Sequence, residues 1–133
     1  MKYPQGSEWR KWDLQVHTPA SIYQRYPGKE QEAWDTFLAD LEALPSEFKV
    51  IGINDYLFLD GYKRVLEEKS KGRLANIDLV LPVIELRLDK FVGHDSNFQR
   101  VNFHVIFDTI EPEVVETQFH QSTLTTVQAS PQP

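Results

Sequence analysis

Short apolar segments that end in polar residues alternate along this chain with segments of helical periodicity, and this order limits the folds open to it. The first apolar segment covers about Lys11 to His17 and is closed by Pro19. A helical segment follows from about Lys29 to Leu44, in which apolar residues recur every three to four positions. A strand–helix–strand order favours right-handed crossovers and a mainly parallel sheet. The predicted fold class is therefore α/β.

The later segments continue this order and finish with two strands in succession. They are a strand over Val50–Asp55, a helix over about Tyr62–Lys71, a strand over Leu79–Leu86, a loop over 89–100, a strand over 101–107 and a helix over Glu111–His120. Pro82 lacks a backbone donor and predicts an edge or a bulge. Four such strands are about half of a closed barrel. We expect a partial (β/α) barrel flanked by helices over 1–120 and a flexible polar tail over 121–133.

Composition excludes several classes of protein. The chain has 133 residues and a net charge of -6, which argues against a general nucleic-acid-binding surface but leaves room for a local basic strip. It has no cysteine, so disulfides, thiolate zinc sites and cysteine nucleophiles are excluded. No apolar run approaches the ~18 residues of a membrane span, and the N-terminus lacks the apolar core of a signal peptide. The expected location is the cytoplasm, with no membrane association.

Polar side chains recur near the ends of the predicted strands. They are Asp13, Gln15, His17, Asn54, Asp55, Tyr56, Glu85 and His104. Strict alternation would place the first three on one face of the first strand. The carboxyl ends of strands are where α/β proteins usually carry out chemistry. A set of carboxylates and imidazoles at that edge suggests a metal-dependent hydrolase site.

The spacing of these motifs resembles the PHP (polymerase and histidinol phosphatase) family. Gln15-Val16-His17 matches its strand-end His-x-His, Asp55-Tyr56 its Asp-His, Glu85 its strand-borne glutamate and His104 the histidine of its next strand. PHP domains are distorted (β/α) barrels that bind metal ions and hydrolyse phosphoesters. The resemblance therefore implies a partial PHP-type barrel with phosphoesterase activity.

Within that family the chain is most similar to the N-terminal PHP domain of TrlF-like AAA/SMC-type ATPases. The similarity covers about residues 6–110, and five segments carry it: Gly6–Pro19, Gly52–Tyr56, Asp60–Tyr62, Pro82–Arg87 and Val101–His104. It implies a nuclease-like domain that works with an ATPase region in cis or in trans, in bacterial defence against phage and other mobile DNA. Nucleic acid is then the expected substrate. The oligomeric state is left open.

The resemblance also assigns roles to individual residues. The implied metal ligands are His17, Asp55, Glu85 and His104, and the implied catalytic group is Asp13, Gln15 and His17, with Asp13 or Gln15 orienting a ligand or a water. Arg25 and Arg87 are candidate substrate contacts. Gln15 and Tyr56 occupy positions where PHP enzymes carry histidine. Amide oxygen suits Mn²⁺ or Mg²⁺ better than Zn²⁺, so the former are the expected metals.

Each candidate also has a structural reading. His17 and Gln15 could simply anchor the Thr18-Pro19 turn, Asp55 could cap the following turn, and Glu85 could pair with an arginine such as Arg87. His104 could be a satisfied core histidine in its apolar strand, although the spacing favours a ligand. The loop residues around Arg25, and His94 with His120, read more simply as surface side chains. PHP enzymes take later ligands from a further histidine and an Asp-x-His motif that these 133 residues lack. The alternative function is a catalytically inactive PHP-like interaction module that assembles with an ATPase partner.

Overall fold

The computed structural model describes residues 9–22, 26–93, 99–109 and 111–120, without the side chains of 88–91 and 120. Its elements are β1 (Lys11–Val16), α1 (Glu30–Glu42), β2 (Phe48–Ile53), α2 (Asp60–Ser70), β3 (Leu79–Val92), β4 (Gln99–Ile106) and α3 (Pro112–Val114), which continues as a π-helical segment, Val115–His120. The predicted tail, 121–133, lies outside the described residues. Within the described ranges, no helix has the length and apolar character of a membrane span.

The sheet is mixed, with strand order β1-β2-β3-β4, and it curls into a half-barrel. β1 pairs with β2 and β2 with β3 in parallel, whereas β4 runs antiparallel to β3. The mainly parallel sheet that we predicted is therefore wrong for its last strand. Only six residues separate Val92 from Gln99, too few for the crossover that a parallel neighbour requires. The loop predicted over 89–100 is correspondingly wrong at both ends, because β3 extends to Val92 and β4 begins at Gln99.

Pro82 lies where β3 changes partner. The parallel ladder with β2 ends at the pair Ile53–Pro82, and the antiparallel ladder with β4 begins at Val83–Ile106. The carbonyl of Pro82 accepts a hydrogen bond from the Phe107 N–H at 3.0 Å. β3 is an interior strand, so the predicted edge position is wrong. The missing donor of the proline instead falls at the junction of two ladders.

Helices α1 and α2 cover one face of the sheet. The apolar spacing predicted for α1 is confirmed, since Trp34, Phe37, Leu38 and Leu41 are all buried. They pack with the core positions of β2 and β3 and with the buried residues of α2 and the loop after it. That core consists of Ile51, Ile53, Tyr62, Val65, Leu74, Ile77 and Val80. A fully buried aliphatic or aromatic side chain typically contributes ~1.5–3 kcal/mol, so this layer anchors the strands whose ends carry the candidate site.

The opposite face of the sheet, which we call the inner face, carries Gly52, Val83 and Glu85. Gly52 lies where the curled strands approach most closely: a Cβ there would be 2.7 Å from Val83 Cγ2 and 2.9 Å from Leu14 Cα. Pairing in the β3–β4 ladder brings His104 opposite Glu85 on the same face. The fold therefore gathers polar residues of β3 and β4 on the face that α1 and α2 leave uncovered.

Candidate functional site

The first strand departs from the alternation that the sequence suggested. Asp13 is opposite Ile51 and Val16 is opposite Ile53, so three residues of β1 span two of β2. This bulge reverses the face to which the side chains beyond it point. The prediction that Asp13 and His17 share a face of β1 is therefore wrong. Gln15 lies within the bulge, is exposed, and donates its backbone N–H to Asp13 Oδ1 at 3.1 Å. The catalytic roles of Asp13 and Gln15 remain predictions.

Asp55 connects the exits of β1 and β2. It is 1% exposed, its Oδ1 accepts the Thr18 N–H at 2.8 Å, and its Oδ2 accepts the Thr18 hydroxyl at 2.6 Å. Thr18 is itself fully buried, and its Oγ1 accepts the Ala20 N–H at 3.1 Å. Gly61, in the first turn of α2, lies so close that a Cβ would overlap both side chains. These three residues, Thr18, Asp55 and Gly61, form what we call the Asp55 cluster, which joins both loops to the start of α2.

Burial dominates the electrostatics of this cluster. It raises the pKa of Asp55, while the hydrogen bonds from Thr18 and the nearby His17 oppose that shift. A buried carboxyl group with a raised pKa occurs both at functional sites and in structural hydrogen-bond networks. The carboxylate of Asp55 does not cap the turn that follows it, as the structural reading anticipated, but binds Thr18 in the turn after β1. Its role as a metal ligand stays a prediction.

His17 lies directly after β1 and is half-buried. Its ring stacks on that of Tyr56 with centroids 5.4 Å apart and an interplanar angle of 19°. Tyr26 donates its hydroxyl to the His17 carbonyl at 3.0 Å, which fixes the backbone at this point. Nδ1 of His17 is buried and has no hydrogen-bond partner among the described residues. A buried polar nitrogen without a partner is costly, and the role of His17 as a metal ligand stays a prediction.

Glu85 is the centre of a second group on the inner face. It is 7% exposed, and both of its oxygens accept amide donors: Oε2 from Asn54 Nδ2 at 3.0 Å and Oε1 from Asn102 Nδ2 at 2.5 Å. His104 Nε2 also lies 3.2 Å from Oε2. These four residues, Asn54, Glu85, Asn102 and His104, form what we call the Glu85 cluster. Its carboxylate accepts hydrogen bonds from amides at the exit of β2 and on β4.

The predicted substrate residues lie partly outside the described chain. Arg25 and His94 fall there, as does the side chain of His120. Arg87 is exposed on the same face as Glu85, two residues further along β3, and its Nε donates to Asn102 Oδ1 at 3.3 Å. Arg87 therefore lies at the border of the Glu85 cluster with its guanidinium accessible to solvent, a position from which it could contact a phosphate.

The four predicted metal ligands fall into two adjacent groups. Glu85 and His104 are in contact, whereas Asp55 and His17 belong to the neighbouring exits of β2 and β1. The backbone joins the groups, because the Glu85 N–H donates to the Tyr56 carbonyl at 3.0 Å. Tyr56 holds a left-handed conformation, with φ of 61°. Among the described residues, no set of three or more His, Cys, Asp or Glu side chains is grouped closely enough to bind a metal ion.

Sequence reasoning gave no role in the site to four residues of these clusters. They are Thr18, Asn54, Gly61 and Asn102. Asn54 and Asn102 could have been recognised from the sequence. Asn54 directly precedes Asp55, and Asn102 lies two residues before His104, on the same face of an apolar strand. Thr18 carried no such signal, because a threonine before Pro19 is typical of any turn. The amides of Asn54 and Asn102 supply the hydrogen-bond donors that the buried carboxylate of Glu85 requires.

Comparisons of the chain with protein-family profiles, with curated proteins and with solved structures give no match. The likeness to PHP domains thus rests on the motifs of the sequence itself. What the structure establishes is a mixed α/β half-barrel with two polar clusters at neighbouring strand positions.

Proposed function

We propose that this chain is the N-terminal part of a PHP-type, divalent-metal-dependent phosphoesterase that acts on nucleic acid. In this proposal it works with an AAA/SMC-like ATPase region, in cis or in trans, in cytoplasmic defence against phage and other mobile DNA. The observation that carries the proposal is the contact of Glu85 with His104, 3.2 Å apart, beside the unpaired buried atoms His17 Nδ1 and Asn54 Oδ1. These donor types are the ones that hydrolytic metal sites use.

The Glu85 cluster fits a small, hard cation. Adjacent ligands of an octahedral ion with bonds of ~2.1 Å lie about 3 Å apart, close to the 3.2 Å between Glu85 Oε2 and His104 Nε2. The proposed ligands His17, Asp55, Glu85 and His104, with the Gln15 amide where PHP enzymes carry histidine, favour Mn²⁺ or Mg²⁺ over Zn²⁺. A bound divalent ion would supply a Lewis acid and an activated water at neutral pH. His17 and Asp55 would complete the ligand set from the neighbouring strand ends.

The remaining residues of the site would position the substrate. Arg87 has an exposed guanidinium beside the Glu85 cluster, and a guanidinium binds phosphate oxygens in a bidentate manner. Arg25 is proposed for the same task. Because the whole chain carries a charge of -6, attraction of a polyanion has to come from such local cations and from the bound metal. Asp13 and Gln15 would orient a water or a ligand at the exit of β1.

A specific observation favours the inactive interaction module as a second candidate. Both edge strands of the described sheet expose large apolar side chains: Trp12 on β1 is 58% exposed, and Phe103 and Ile106 on β4 are 54% and 47% exposed. Exposed apolar edges of an open sheet are typical of surfaces that further strands or a partner cover. In this reading the two polar clusters are structural and the ATPase region completes the barrel.

We expect Mn²⁺-dependent cleavage of bis(4-nitrophenyl) phosphate and of a single-stranded DNA oligonucleotide. His17→Ala should abolish this cleavage with little change in the fold, because it removes a ligand at a strand end. Arg73→Gln serves as the matched control, since Arg73 pairs with Glu42 at the other end of the sheet, and it should cleave like wild type. The measurement is the initial rate with Mn²⁺ and with EDTA, alongside circular dichroism of each variant.

Two results would count against the enzyme. The first is a folded wild-type chain, tested alone and together with its ATPase region, that cleaves neither substrate in Mn²⁺. The second is a His17→Ala variant that cleaves as fast as wild type. Either result would leave the interaction module as the better account.

A further inference from the structure

Only the nitrogen of the Asn54 side-chain amide has a hydrogen-bond partner among the described residues. The side chain of Asn54 is fully buried and donates Nδ2 to Glu85 Oε2 at 3.0 Å. Its Oδ1 is also buried and has no hydrogen-bond partner among the described residues. Leaving a buried acceptor unpaired is energetically costly. The oxygen is therefore placed where a donor or a cation would be stabilised.

Asn102 also donates its side-chain amide to Glu85, but in Asn102 both the nitrogen and the oxygen of the amide are hydrogen-bonded. Its Oδ1 accepts a hydrogen bond from Arg87 Nε at 3.3 Å. The orientation of both amides is fixed, because an ionised carboxylate only accepts hydrogen bonds and the NH₂ group must face it. The unpaired atom of Asn54 is therefore its oxygen and not its nitrogen.

We propose that Asn54 Oδ1 is an additional cation ligand, acting together with Glu85 and His104; this inference rests on the proposed function. Glu85 Oε2 contacts both the Asn54 amide and the His104 ring, so one oxygen of the carboxylate links all three side chains. A neutral amide oxygen is a hard ligand, suited to Mn²⁺ or Mg²⁺. The three residues then form a site from β3, β4 and the exit of β2 that holds two oxygen donors and one nitrogen donor.

The test measures Mn²⁺ affinity from the free-Mn²⁺ signal in electron paramagnetic resonance, for wild type, Asn54→Ala, Asn54→Asp and Asn102→Ala. Asn54→Ala and Asn102→Ala each remove one donor to Glu85, but only the first removes the unpaired oxygen. We expect Asn54→Ala to weaken binding by roughly 10–100-fold, the effect typical of losing a group at a metal site, and Asn102→Ala to weaken it less. Asn54→Asp keeps an oxygen at the position and should bind at least as tightly as wild type.

The variants separate a ligand from a residue that only positions Glu85. If Asn54 acts only through its N–H donor, Asn54→Asp will bind as poorly as Asn54→Ala, and the inference is overturned. It is also overturned if Asn102→Asp, which adds the same charge on the other side of Glu85, tightens binding as much as Asn54→Asp does. Circular dichroism confirms that each variant is folded. Wild type that binds no Mn²⁺ contradicts the proposed function itself, whereas tight wild-type binding that Asn54→Ala leaves unchanged contradicts only the role of Asn54.

Discussion

Gly61→Ala should destabilise the protein by roughly 2–4 kcal/mol, although alanine is by far the better helix former. In an open helix the exchange would add ~1 kcal/mol of stability. Here the new methyl group would overlap Asp55 Oδ2 and Thr18 Oγ1. Overpacking a filled site typically costs ~1–3 kcal/mol, and disturbing the buried hydrogen bond between those two side chains costs a similar amount. Urea unfolding followed by circular dichroism measures the change.

Gly72→Ala is the control for Gly61→Ala. A Cβ at Gly72 would meet no atom within 4 Å, but this residue has a φ of +98°, so the variant reports backbone strain without a clash. We expect it to lose only ~1 kcal/mol. A Gly61→Ala protein as stable as wild type would mean that the start of α2 does not pack against the Asp55 cluster as described.

Asp55→Ala is expected to produce the second large loss, about 2–5 kcal/mol. The change leaves the N–H and the hydroxyl of Thr18 without their acceptors in a buried position, and each unpaired buried group costs ~1–3 kcal/mol. Asp55→Asn should lose less, because an amide oxygen still accepts the Thr18 N–H. Thermal and urea unfolding in EDTA measure both variants without any contribution from metal. Equal stability of Asp55→Ala and wild type would show that this contact does not hold the two loops.

The dependence on pH provides a further check on Asp55. Burial raises its pKa in the folded state, so the folded protein binds this proton more tightly than the unfolded chain does. The contribution of Asp55 to stability is therefore fully present below its ordinary pKa of ~3.9 and declines as pH rises through the raised value. Carboxylates with lowered pKa values, such as Glu42 and Glu67, change stability with pH in the opposite direction. They are present in wild type and in Asp55→Asn alike, so their effect cancels when the two are compared. The stability of wild type minus that of Asp55→Asn should fall with rising pH.

The sequence predicted the elements that apolar periodicity controls. α1 and α2 begin and end within two residues of the bounds predicted for them, about 29–44 and 62–71. The direction of β4 was not predicted, because it depends on the length of the connection between β3 and β4. The sequence assigned both ends of that connection to a loop over 89–100, which made it longer than it is. The bulge in β1 was not predicted either, because it arises from pairing with β2. No residue of Lys11–Val16 has a positive φ, so the bulge does not require a glycine that the sequence would have shown.

The candidate site was predicted unevenly for the same reason. Glu85 and His104 were predicted as ligands of one metal site from the spacing of the motifs, and the β3–β4 ladder places them directly opposite each other; their role as ligands stays a prediction. The contacts of Asn54 and Asn102 with Glu85 were not predicted, since which amide faces a carboxylate depends on the curl of the sheet and the register of its strands. For Asp55 both readings were open, and the contact with Thr18 is a tertiary one between residues 37 positions apart.

The location of bound manganese tests the central claim most directly. Crystals of the chain soaked in MnCl₂ would be measured at the manganese absorption edge, with Glu85→Gln crystals as the control. The account predicts an anomalous peak within coordination distance of Glu85 and His104, absent in Glu85→Gln. Manganese found only at surface carboxylates outside the Glu85 cluster, with no peak beside Glu85 in wild type, would contradict it.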